Sequence, residues 1–216
     1  LGIAFDGDAD RIGVISNTGE IIWGDKLLLL FARYILKEHP GATIIGEVKC
    51  SQVLYDGIRK HSGRPIMWKA GHSLIKAKMK EEKALLGGEM SGHLFFADRY
   101  FGYDDAIYAA VRLLEILSQS SQSLSDLLAD IPQTFATPEI RMDSDDDKKA
   151  TVVEKIKQHY RNTPGVIDID GVRIPFKDGW ALVRCSNTQP VIVLRFEASS
   201  AESLKRIRSE VENLLA

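Results

Sequence analysis

The chain opens on Leu1-Gly-Ile-Ala-Phe-Asp-Gly-Asp-Ala-Asp-Arg-Ile12, an apolar run that breaks into closely spaced acids. A short apolar run at residues 3–5 reads as a buried strand that delivers three carboxylates, Asp6, Asp8 and Asp10, onto the following turn. Gly7 and Ala9 keep the intervening positions small, so the backbone can curl until the side chains converge. Three uncompensated carboxylates at this spacing repel one another, and a hard divalent cation removes that cost. An oxygen-only set with few ligands predicts Mg²⁺, completed by a substrate phosphate or water, in preference to a caged Ca²⁺. An EF-hand loop is excluded, because it needs Gly at its sixth position and Glu at its twelfth, where this chain has Arg11 and Asn17. A solvated acidic turn without metal is the competing reading.

Outward from this turn, 216 residues suffice for a substantial core in one or two domains. A net charge of −2 and a pI near 6.2 leave no electrostatic footprint for nucleic acid or an anionic membrane. The two cysteines, Cys50 and Cys185, form neither a metal-type pair nor a disulfide framework, which predicts a reducing, cytoplasmic setting. No apolar run reaches membrane-spanning length and no signal peptide is visible. Residue 1 is not Met and lies in a predicted strand, so the expectation is a piece of a longer polypeptide.

Strand and helix signals alternate through the first two thirds. Strands are predicted at residues 12–16, 21–23, 42–48, 65–68 and 84–86, with helices at 25–37, 52–61, 74–83 and 107–117. Asp25 reads as the cap of the first helix. This order predicts an α/β layer with a mixed, mostly parallel sheet and flanking helices. Lys49, His72 and the loop Gly87-Gly-Glu-Met-Ser-Gly-His93 recur at strand ends, where open α/β sheets bind ligands. Any one of the histidines, read alone, is as well explained by a structural or surface role. Beyond Pro132 the pattern changes to strand, helix, strands near 166–169, 172–176, 180–184 and 191–197, and a last helix at 201–215. That predicts a small α+β domain with a four-stranded antiparallel sheet and two helices. The acidic run at 143–147 reads as a linker and helix start.

Between two strands of that domain lies Arg184-Cys-Ser-Asn-Thr-Gln-Pro190, rich in hydrogen-bond donors. A planar Arg fork with hydroxyls and turn N–H groups suits a phosphate, although an ordinary polar hairpin closed by Pro190 explains the same residues.

Taken together, Asp6-Gly-Asp-Ala-Asp-Arg11, Lys49 followed by Gly71-His-Ser73, Gly88-Glu-Met-Ser-Gly-His93 and Arg184-Cys-Ser-Asn-Thr-Gln-Pro190 resemble the phosphomannomutase/phosphoglucomutase family of α-D-phosphohexomutases, over essentially the whole chain. The resemblance implies four domains around one cleft. It makes residues 1–20 the tail of the metal-binding second domain, 21–132 the sugar-binding third and 133–216 the phosphate-binding fourth. It also implies a phosphoserine, carried by a first domain with no equivalent here, that phosphorylates a hexose phosphate to a hexose 1,6-bisphosphate. Its partners are therefore hexose phosphates, that bisphosphate and the missing N-terminal domains. By the same resemblance Asp6, Asp8 and Asp10 hold Mg²⁺ and Arg11 steadies the phosphoserine. Lys49 and His93 transfer protons, with His72 nearby; Glu89 and Ser91 read sugar hydroxyls; Arg184, Ser186, Asn187 and Thr188 clamp the distal phosphate. Two alternatives suit some of the same residues: a haloacid-dehalogenase-like phosphatase with Asp6 as nucleophile, Asp8 as acid/base and Asp104-Asp105 as its later acidic loop, and a non-catalytic phosphosugar-binding module.

Overall fold

The computed structural model describes every residue except Asn187, Thr188 and Ala216, and only the backbone at Asp146 and Asp147. The chain divides into two compact units, Leu1–Pro132 and Gln133–Ala216.

The first unit begins with a three-stranded antiparallel sheet of β1 (Gly2–Phe5), β2 (Ile12–Ile15) and β3 (Ile21–Ile22), with β2 in the middle. The expected strand after Leu1 exists but is not buried: Gly2, Ala4 and Phe5 are exposed, because β1 is an outer strand paired on one side only. Next come α1 (Gly24–Glu38), β4 (Thr43–Glu47), α2 (Gln52–Lys60), β5 (Arg64–Trp68), α3 (His72–Glu82), β6 (Leu86–Gly88) and β7 (Leu94–Phe96). They build a second sheet ordered β5-β4-β6-β7, parallel except for β7 against β6. Neighbouring strand residues point to opposite faces. Ile44 and Phe96 join the core under α1 and α2, while Ile45 and Phe95 join Ile75 and Met79 of α3 in a smaller core. The result is a three-layer α/β/α sandwich. Leu27 to Leu30 and Phe31 of α1 are all nearly inaccessible, each worth about 1.5–3 kcal/mol of burial. Then follow α4 (Ala106–Ser118) and α5 (Leu124–Leu128), the latter a short helix at the end of the serine-rich residues 118–125 that periodicity does not reveal. A Ser123–Asp126 capping box starts it.

The second unit holds β8 (Phe135–Ala136), β9 (Ile140–Asp143), α6 (Asp146–Tyr160), β10 (Val172–Phe176), β11 (Gly179–Cys185), β12 (Val191–Ala198) and α7 (Ala201–Leu215). Its antiparallel sheet has five strands instead of four. The order is β10-β11-β12-β8, with β9 also pairing β12. The stretch 166–169 is not a strand: Ile167 makes a single bridge to Arg173. Both helices cover one sheet face, where Ile156, Ile207 and Val211 meet Ile174, Val183, Leu194 and Phe196.

Candidate active site

Three turns of the first unit meet at one rim. The Asp6–Arg11 turn joins β1 to β2, and Ala9 sits in it with φ 60°, a left-handed value that costs a non-glycine residue about 1 kcal/mol. The Ala9 carbonyl accepts the Ala106 N–H at 3.0 Å, fastening the turn to the start of α4. One carboxylate oxygen from each of Asp6, Asp8 and Asp10 comes within 4.8 Å of the others. Ligand oxygens of an octahedral Mg²⁺ stand about 3–4 Å apart, so small side-chain rotations complete such a set. Asp10 Oδ1 is shielded from solvent, 3.2 Å from His93 Nε2 and 3.5 Å from Arg11 Nε, with neither contact a hydrogen bond. An oxygen-only set with one such oxygen suits Mg²⁺. Arg11 Nε donates to Asp6 Oδ2 at 2.6 Å, and its backbone N–H to Oδ1 at 3.1 Å. Burial works against the Asp6 anion, but these two bonds outweigh it and hold the carboxyl below its ordinary value.

The second turn, Glu89–His93, links β6 to β7. It is zipped to the acidic turn by a bridge between Arg11 and His93 and by the Ile12 N–H on the Gly92 carbonyl at 3.2 Å. Gly92 has φ 99°, and a Cβ there would overlap the Ile12 carbonyl oxygen. Gly24, at the start of α1, presses just as closely on the Glu89 carbonyl. Both positions therefore require the absence of a side chain. Glu89 is buried. One of its oxygens accepts from Gly71 N–H at 2.7 Å, and the other lies 2.7 Å from His93 Nδ1. Burial would raise the Glu89 carboxyl, yet His93 and the Gly71 N–H hold it below its usual range. Burial likewise opposes the His93 imidazolium, and the Glu89 bond with the charges of Glu89 and Asp10 raises it above its usual value. Ser91 is exposed, its hydroxyl 3.4 Å from His93 Nδ1.

The third turn follows β4 and carries Lys49, whose side chain is mostly buried with Nζ 3.8 Å from Glu47 Oε1. Asp25 is no cap. It lies inside the first turn of α1, 4% exposed, where Oδ1 accepts the Lys26 N–H and Oδ2 reaches across to the Ser51 N–H at 2.9 Å. It thus fixes the Lys49 turn from behind. His72 stands at the start of α3, exposed, 5.9 Å from His93 ring to ring and 3.3 Å from Asp104. Asp104 also takes the Lys76 ammonium at 2.7 Å.

The sequence signals missed Glu47 and Lys76, and singled out Asp104 only as part of the acidic loop of the phosphatase alternative. An acid ending the otherwise apolar run at residues 43–47 was the available signal for Glu47. Lys76 carries none, since lysines on an amphipathic helix are ordinary.

In the second unit Arg184 belongs to the end of β11, not to the loop, and is buried with Nε 3.0 Å from Asp170. The Ser186 hydroxyl accepts the Gln189 N–H, and Lys149 Nζ caps the Ser186 and Gln189 carbonyls at 3.1 and 3.2 Å. Asn187 and Thr188 lie outside the described residues. Burial pushes the Cys185 thiol up.

Residues 23–135 match the family description "Phosphoglucomutase/phosphomannomutase, alpha/beta/alpha domain III", and residues 139–214 match the C-terminal domain of the same family. The chain belongs to the phosphoglucomutase/phosphomannomutase family. It is 51% identical over all its 216 residues to a phosphomannomutase/phosphoglucomutase of Pseudomonas aeruginosa, covering 47% of that protein. A Burkholderia thailandensis crystal structure of the family superposes on 99% of the chain and 46% of its own, with TM-score 0.91 and 45% identity. An Aspergillus fumigatus N-acetylphosphoglucosamine mutase, solved with GlcNAc-6P and magnesium, shares the fold at TM-score 0.68 and 16% identity, over 99% of this chain and 51% of that one. The chain thus spans about half the length of the relatives it matches. Membership in this family displaces the phosphatase alternative. In the structure Asp105 caps α4 through Tyr108 N–H and binds the Tyr100 hydroxyl, a structural task.

Proposed function

We propose that the longer polypeptide containing this chain is a phosphohexomutase. It would interconvert the 1- and 6-phosphates of mannose or glucose through a phosphoserine and a hexose 1,6-bisphosphate. The observation that carries this reading is the convergence of the Asp6–Asp10 turn, the Glu89–His93 turn and Lys49 at one rim.

Asp6, Asp8 and Asp10 are the residues that would hold Mg²⁺, which when bound offsets charge on a transferring phosphoryl group. Arg11, with its guanidinium half exposed beside Asp6, is set to steady phosphoserine oxygens. His93 stands between Glu89 and Asp10, whose charges favour its imidazolium, and is placed to pass a proton to a sugar oxygen. Lys49 is the partner that takes or returns the hydroxyl proton, a role worth about 10²–10⁴ in rate. Glu89 and Ser91 face sugar hydroxyls. Arg184, Ser186, Asn187 and Thr188 bind the phosphate that is not reacting, since a buried guanidinium fixed by Asp170 keeps its fork in one orientation. The Pseudomonas relative's name covers both sugars, and the Aspergillus mutase was solved with GlcNAc-6P and magnesium on this fold. A reducing cytoplasm fits the two cysteine thiols, Cys50 and Cys185, and among the described residues no helix is long and apolar enough to cross a membrane.

The test is to incubate the longer polypeptide with labelled hexose 1,6-bisphosphate and identify the phosphorylated residue. Phosphoserine, with turnover of mannose 1-phosphate by that polypeptide and none by the 216-residue chain alone, is expected. Phosphoaspartate, or turnover by the 216-residue chain alone, overturns the mechanism.

A further inference from the structure

Glu47 ends β4 and is completely inaccessible to solvent, the most deeply buried carboxylate of the described chain. A buried carboxylate is costly unless donors surround it. Here both oxygens are used. Oε2 accepts the Lys49 N–H at 2.9 Å, and Oε1 accepts the Met90 N–H at 3.3 Å while lying 3.8 Å from Lys49 Nζ. Lys49 and Met90 belong to different turns, one after β4 and one after β6. These are the turns that carry the proposed proton-transfer lysine and the proposed sugar-reading Glu89. The strand end is anchored from behind: the Glu47 carbonyl accepts the Tyr55 hydroxyl at 2.7 Å, and Asp25 holds the far side of the Lys49 turn at Ser51.

We propose that Glu47 is a positioning residue for proton transfer, a single carboxylate that ties the Lys49 turn to the Glu89–His93 turn and holds the Lys49 ammonium beside it. Glu47 does not touch the sugar; it acts through Lys49 and through the register of Met90 beside Glu89. The charged groups that face it are Lys49 from its own turn and Glu89 from the opposite one, with His93 and Asp10 beyond Glu89. Burial pushes the Glu47 carboxyl up, the Lys49 charge opposes that, and Glu89 adds to it. The two backbone N–H donors favour the ionised form, which accepts at both oxygens.

This inference rests on the mutase reading for the role of Lys49, but its test does not. In the 216-residue chain, NMR of the lysine side chains follows the Lys49 titration, and hydrogen exchange follows the Lys49 and Met90 amides. Glu47→Gln should lower the Lys49 titration by about one pH unit or more, since an opposite charge within about 4–6 Å is lost. Both amides should exchange at least about tenfold faster, while Leu194 in the second unit stays unchanged. Glu47→Asp keeps the charge and should move Lys49 less. An unmoved Lys49 titration with unmoved amides in Glu47→Gln overturns the proposal; if Glu47→Gln does not fold, Glu47→Asp decides through the two amides, whose unchanged exchange overturns it. In the longer polypeptide Glu47→Gln should lower kcat about tenfold or more with little change in KM, and should cost clearly less in a Lys49→Met background. Equal loss in both backgrounds overturns action through Lys49. If the unsubstituted polypeptide has no mutase turnover, the mutase reading fails by itself and the NMR result still decides the coupling.

Discussion

Replacing Glu89 by Gln is the sharpest test of the rim electrostatics. The substitution keeps the shape of the side chain and an oxygen for the Gly71 N–H, but removes the anion 2.7 Å from His93 Nδ1. What remains is burial, which disfavours the imidazolium, and Asp10 at 3.2 Å, which favours it. Loss of a close opposite charge shifts a titration by about 1–3 pH units, and each pH unit corresponds to about 1.4 kcal/mol. His93 should therefore titrate at least about one pH unit lower in Glu89→Gln. The stability consequence has a definite sign. A histidine whose folded pKa is raised contributes stability that is fully present below its unfolded value near 6.5. That contribution is lost as pH rises through the higher folded value. The unsubstituted chain should thus lose stability between neutral pH and the upper end of the His93 titration, and the variant should lose less over the same window. Histidine ring NMR under chelator gives the titration, and urea unfolding at several pH values gives the linkage. A His93 titration within about 0.3 pH units of the unsubstituted chain would refute the assignment of Glu89 as its dominant partner.

Three further outcomes follow from the geometry. Asp8→Asn should weaken Mg²⁺ binding at least about tenfold by calorimetry on this chain, with the unfolding midpoint in chelator unchanged; an unaltered isotherm removes Asp8 from the ligand set. Gly92→Ala forces a Cβ onto the Ile12 carbonyl at φ 99°, so urea unfolding should show a loss of about 1–3 kcal/mol; a neutral result means the two turns are not zipped together as described. Arg112→Met leaves Asp98, 6% exposed and bonded at 2.7 Å, without its main cation. His39 and Arg99 at 3.7 Å soften the loss, which should be about 3 kcal/mol by chemical unfolding, and a change under 1 kcal/mol counters the pairing.

Periodicity reads the elements of both units well because apolar runs of four or five residues had nowhere to go but a buried sheet. It fails where a short element draws its stability from contacts distant in sequence. The strand β7 is three residues long and exists because Leu94, Phe95 and Phe96 alternate between two cores. The extra strand of the second sheet is similar: β8 spans two residues and is held through Glu197 and Ala198 of β12. At the rim, residue types signal Asp6, Asp8, Asp10, Glu89 and His93, but not which atom meets which. Asp25 shows why: an acid at a helix start is read as a cap, and only the fold reveals that it holds Ser51, 26 residues away.

Across the rim the charges alternate in sign. Asp6 pairs with Arg11 at 2.6 Å, Arg11 approaches Asp10 at 3.5 Å, Asp10 faces His93 at 3.2 Å and His93 meets Glu89 at 2.7 Å. The Lys49 charge then acts on Glu89, and Lys49 lies 3.8 Å from Glu47. Alternation is what makes so many half-buried charges tolerable, since each has at least one opposite neighbour. Removing one member sets two like charges next to each other: Glu89→Gln leaves the His93 and Lys49 cations without the anion between them. Removing two neighbours together restores the order. The double variant Glu89→Gln, His93→Gln should therefore be less destabilised at pH 6 than the sum of its single variants, by about 0.5–3 kcal/mol. Strict additivity in urea unfolding would mean that the row is a geometric coincidence and that each pair stands alone.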